Sequence, residues 1–167
     1  LYSIACGAFG SVATIVLREI AENATNEDND MRDPIRAAAA IGVVSSLLVG
    51  VGGLLDNFGS LVVFGGAFTG MSLPSRLLKG VIKGRKKRNP PGAIAIVAWY
   101  AAAGALGGLI HALTVPLQWW SGGIWGGKAG SCAFGGVLIF RAFEKCMYWV
   151  RDRMGWTSEL KDYGELY

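Results

Sequence analysis

Hydrophobic and polar positions along this chain are not interleaved at short range; they are sorted into long blocks. Uncharged apolar runs cover residues 2–17, about 37–55, about 58–73 and about 92–113, and a last apolar run, interrupted by Lys128, begins in the loop around 119–127 and reaches Phe140. These lengths lie at or near the ~17–25 apolar residues that a helix needs to cross a bilayer. The pattern predicts an all-α fold, a polytopic transmembrane helix bundle of about five spans. The chain begins at Leu1 and not at methionine, which suggests a processed or truncated N-terminus; a sixth, N-terminal helix upstream is the alternative to five.

The polar blocks set the connections. Residues 19–33 are acidic and polar, and Pro34 marks the start of the second helix, where a proline costs no hydrogen bond. Asp56 and Asn57 read as a very tight turn, which makes the second and third helices an antiparallel hairpin. Pro74 falls near the end of the third helix, and Asn89-Pro90-Pro91-Gly92 opens the fourth. After Pro116 comes an aromatic loop in which Trp119, Trp120 and Trp125 read as an interfacial belt. The bundle is expected to occupy residues 1–153, with residues 154–167 as a polar tail.

Composition sharpens this picture. The 167 residues are 52% hydrophobic but only 17% charged, and the mean hydropathy is +0.39. A soluble domain of this length would spread its charge over its surface. The net charge of +4 sits in loops with no accompanying nucleic-acid motif, so a nucleic-acid partner is not expected.

The 25 glycines fall in rows. Gly42, Ser46 and Gly50 share one helical face at four-residue spacing. So do Gly66 and Gly70, Gly104 and Gly108, and the longest row, Gly123, Gly127, Ser131 and Gly135. Small residues at this spacing let helix backbones approach closely inside a membrane. Gly7 and Ser11 repeat the spacing in the first helix. Residues 52–55 (GGLL) match 107–110 (GGLI), and residues 64–66 (FGG) match 125–127 (WGG), which suggests a parallel repeat of helical hairpins. The segment GGAFTG, residues 65–70, is similar to the glycine-rich helices of the mitochondrial inner-membrane protein-translocase family. That resemblance implies a compact four-span bundle and a place among accessory subunits of membrane complexes. It covers the third and fourth helices only. Loop lengths, span count and the family's arginine–aspartate spacing all depart from it, and the chain is not assigned to that family.

Charge gives an orientation. Five spans place Arg18, Arg32, Arg36, the block from Arg76 to Arg88 and every basic residue from Arg141 onward on one side, with Lys128 alone left over. By the positive-inside rule that side is inner, and the N-terminus lies outside. A multi-pass protein of a prokaryotic plasma membrane or an organellar inner membrane is expected. The sequon Asn23-Ala24-Thr25 would then face inward, unglycosylated. Lys83, Arg85, Lys86, Lys87 and Arg88 form a basic loop suited to anionic lipid head groups or an acidic partner surface.

Reagents for chemistry are few. The chain holds one histidine and three cysteines, with no metal-ligand spacing, no paired carboxylates within a span and no nucleophile–base arrangement. No catalytic residue, metal or cofactor is expected. Cys6 and Cys132 read as small packing residues. The ionisable candidates for a pore or an anchor are Asp56 in the outer turn, His111 near the outer end of the fourth helix, and Lys128. Lys128 lies roughly 13 Å into a fifth helix that begins near Trp119, or snorkels at the interface if that helix begins at Gly127; the second reading is favoured. The expected function is that of a non-catalytic structural, accessory or assembly subunit of a larger membrane complex. Its partners would be lipid and other membrane subunits or further copies of itself. The alternative is a small channel or transporter.

Overall fold

The computed structural model describes residues 1–23, 33–50, 53–72, 77, 92–117 and 125–153. Five helices make up these residues: α1 (Tyr2–Asn23), α2 (Pro34–Gly50), α3 (Asn57–Gly70), α4 (Ala93–Thr114) and α5 (Trp125–Arg153). No strand occurs among the described residues. Two stretches, Tyr2–Glu22 and Ala93–Thr114, are long and apolar enough to cross a membrane, and Pro34–Gly50 is a shorter apolar helix.

The helices alternate in direction. α1 and α3 run parallel, since Tyr2 bonds Asp56 at their first turns and Arg18 bonds Gly70 at the far end. α4 opposes α1, because Ser3 meets Gly108 while Ser11 meets Gly104. α2 opposes α3, with Gly42 against Phe64 and Ser45 against Ser60. α5 opposes α4, from the Thr114–Cys132 contact to the edge-on pair of Trp99 and Phe140. α1, α3, α5 and α4 form a ring of four packed neighbours, α3 also touches α4 across it, and α2 leans on the outside of α3.

Two apolar clusters fill this ring. Ile15, Leu77, Tyr100, Ala103 and Phe140 pack towards the end where α1 and α3 finish. Cys6, Val62 and Val63 pack towards the other, flanked by Ile41, Leu55 and Phe58. The largest buried side chain is Tyr100, whose hydroxyl reaches the carbonyl of Ser72.

Several boundaries differ from the sequence reading. α1 runs on past Arg18 to Asn23, because a single charged turn does not end a helix whose other face stays buried. α2 is described to Gly50 and α3 starts at Asn57, and residues 53–56 are non-helical, so the turn is not confined to Asp56 and Asn57 as expected. Gly53 lies there at φ +63°, a left-handed conformation that glycine adopts without steric cost. This also undoes half of the proposed repeat. Residues 107–110 are helical, whereas 53–55 form a turn. Finally, α5 does not stop near Phe140 but continues to Arg153.

Candidate functional site

Among the described residues the most constrained place is the crossing of α1 with α3 and α4. A Cβ built on Gly66 would land on the backbone carbonyl of Gly7, and one built on Gly104 would meet the same carbonyl from the other side. Gly108 lies against the Ser3 carbonyl in the same way. Gly10 faces the Val63 carbonyl, and Gly70 meets Thr14 and the Ser11 carbonyl. α1 is thus wedged backbone-to-backbone between two glycine-bearing faces. Such contact is open only to residues without a side chain at the crossing, and it gains dispersion energy over many atom pairs. Ser11 is fully buried and its Oγ has no hydrogen-bond partner among the described residues, so the position selects for size.

α5 closes the ring through another small row. Gly136 abuts Gly107, Ala133 and Cys132 border Gly107, and Ala129 faces Gly65. The row foreseen on this helix lies elsewhere. Gly127 and Ser131 are exposed, Gly135 meets only the tip of Ile110, and Gly123 lies outside the described residues. On α2, Gly42 is buried under the ring of Phe64, while Ser46 and Gly50 are exposed.

Polar groups collect at the two ends of the ring. At one end, three side chains from three helices converge on backbone carbonyls at and beyond the C-terminal end of α3. Arg18 Nη1 donates to Gly70 at 3.1 Å, Tyr100 Oη to Ser72, and Arg141 Nη1 to Leu77 at 3.3 Å. Arg141 also pairs with Glu144, which is buried. Helix C-terminal carbonyls lack intrahelical donors and carry partial negative charge, so the Arg18 guanidinium complements the last carbonyl of α3 on both counts. Sequence reading placed Arg18 and Arg141 on the inner side as topology signals and missed the cap that Arg18 forms on α3 and the bond of Arg141 to Leu77. Their distance along the chain from these acceptors is what hides both.

At the opposite end lie Asp56, His111 and Lys128. Asp56 is the N-cap of α3, its carboxylate accepting from the Gly59 amide at 2.6 Å and from the Tyr2 hydroxyl at 2.9 Å. These two donors, the amide first, hold its carboxyl below the usual carboxylate range. His111 is buried and lies edge-on to Phe58, with ring centroids 5.2 Å apart. Lys128 occupies the first turn of α5, half-buried, and bears electrostatically on His111 and Cys132. A cation there opposes the helix dipole, so Lys128 does not stabilise its own helix. Lys83, Arg85, Lys86, Lys87 and Arg88 lie outside the described residues. Among the described residues no cluster of three His, Cys, Asp or Glu side chains could hold a metal ion.

No protein-family model matches the chain, nor does any curated protein or solved structure. Function must therefore be argued from the geometry.

Proposed function

We propose that this chain is a multi-pass integral membrane protein that serves as a non-catalytic structural, accessory or assembly subunit of a larger membrane complex. The observation that carries the reading is the wedge of α1: Gly7 meets Gly66 on one side and Gly104 and Gly108 on the other, through backbone atoms. Three helices in backbone contact leave no width between them for a solute. In a bilayer, where apolar side chains gain little by leaving lipid, this close packing is what holds helices together.

The alternation of helix direction supports the multi-pass arrangement. Arg18, Arg36 and Arg141 then belong to one end of the molecule and Lys128 to the other, as the positive-inside rule asks. On this reading the arginine end faces the inner compartment and Leu1 the outer one. Lys128 is an interfacial anchor, and the basic block from Lys83 to Arg88 meets anionic head groups or a partner's acidic surface.

The test combines native electrophoresis with reconstitution. The protein extracted in mild detergent is expected to migrate with partners. In liposomes containing it alone, neither the wild type nor Lys128→Met should conduct ions or small solutes. Migration alone, combined with flux that Lys128→Met abolishes, would instead establish a channel.

A further inference from the structure

Between α2 and α3 lies an open apolar groove of about 650 Å³, walled by Ala39, Val43 and Leu47 on one side and by Leu61 and Phe64 on the other, with Gly42 at its base. It forms because Phe64 packs on Gly42 and holds the two helices apart there. The hydroxyls along it are already engaged. Ser46 donates to the Gly42 carbonyl at 3.0 Å, and Ser60 shares a 3.1 Å bond with Ser45. Nothing in those bonds asks for a polar occupant. From Ala39 to Val49 the groove follows α2 for about 15 Å at 1.5 Å per residue, half of the ~30 Å hydrocarbon thickness of a bilayer. It therefore has the length of one leaflet.

Arg36 lies three residues before Ala39 and seven before Val43, on the same face of α2. Its side chain is about half exposed and makes a long contact of 4.0 Å with Asp33. A guanidinium has five N–H donors, so this contact and a phosphate oxygen can be held together.

We propose that the groove binds one acyl chain of an anionic membrane phospholipid, with the phosphate on Arg36. The proposal rests on the membrane-spanning reading above. A hydrocarbon chain suits a leaflet-long apolar channel, and the cation at its end selects the head group. The basic block at residues 83–88 is a separate surface and is not needed for this site.

Native mass spectrometry of the whole protein tests it, with phosphatidylglycerol and phosphatidylcholine offered in equal amounts. The wild type should retain one phosphatidylglycerol, preferred about fivefold, as expected for a single arginine near an anionic head group. Arg36→Gln should erase the part of the preference that groove-filling also removes, but still retain lipid. Val43→Trp, which fills the groove, should lower retention of both lipids at least about fivefold. Ser46→Phe serves the same purpose should Val43→Trp fail to elute as a folded species. Phe134→Trp, outward on α5, should behave as wild type. Groove-filling variants that keep the lipid, or a groove-dependent head-group preference that survives Arg36→Gln, would overturn the proposal. So would cross-linking of position 43 to another protein in native membranes in place of lipid. Vesicle flotation separates the two levels: a chain that does not float sinks the membrane reading, whereas one that floats without groove-dependent lipid sinks only this site.

Discussion

The two faces of α3 make opposite use of glycine. On the side of α1, Gly66 meets Gly7, and the two backbones touch. On the side of α2, Gly42 meets the ring of Phe64, and a side chain fills the space. The first pairing gives a dry crossing and the second a groove. A small residue permits close approach, but only a second small residue opposite it produces one. The consequence is mechanical as well as geometric. Carbonyls at the α1 crossing cannot yield, whereas the Phe64 ring can swing about its χ angles.

Substitutions that add the same atoms on the two faces should therefore differ sharply. Gly66→Leu or Gly108→Leu is expected to have the largest effect. The side chain meets backbone, and the cost should reach or exceed the top of the ~1–3 kcal/mol typical of overpacking. In practice the monodisperse species should be lost on size exclusion in detergent. Gly42→Leu should cost about 1 kcal/mol, because Phe64 can rotate into the neighbouring groove; a modest fall in thermal midpoint would register it. Equal losses at Gly42 and Gly66 would show that the crossing is no tighter than the groove.

Gly127→Leu sharpens the contrast from a third position. It should leave the stability of the isolated protein unchanged, within about 0.5 kcal/mol, since Gly127 faces outward. If partners dock on that face, the same variant should shrink the native complex.

The smallest effect concerns Asp56. Its folded carboxyl sits below the unfolded value, so its contribution to stability is present at neutral pH. That contribution is lost only as the pH falls through the lowered folded value, below the usual ~3.9. Asp56→Asn should flatten this acid limb of the stability profile, and Tyr2→Phe should do so partly.

Much of the fold was legible in the block pattern, because a charge-free run of helical length stands out whichever of its faces is buried. α4 was anticipated to within a residue at each end for that reason. What the pattern hides is the choice between faces. α5 carries two small rows, Gly127–Ser131–Gly135 and Ala129–Cys132–Ala133–Gly136, and composition alone does not say which one meets Gly65 and Gly107. The turn at 53–56 was misread for a related reason. Leu54 and Leu55 prolong the apolar run, yet Gly53 has already turned the chain, and hydropathy is blind to φ. The arginine bonds to backbone carbonyls were hidden by distance, since Arg18 lies 52 residues from Gly70 and Arg141 lies 64 from Leu77.

The wedge of α1 also bears on how the chain is made. α1 is the first of these helices to be synthesised, yet its two glycine faces are covered only by α3 and α4, and its contact with the next helix in sequence is slight. On the proposed membrane-spanning reading, a helix inserted in order must wait, with its backbone open to lipid, until the chain through Thr114 has followed it. The contacts that complete the fold are separated by up to about a hundred residues, and closing them is the slow step that such long-range pairing imposes. Ribosome-bound chains ending before α4 should keep Gly7 accessible to a small cross-linker, and chains ending after it should not.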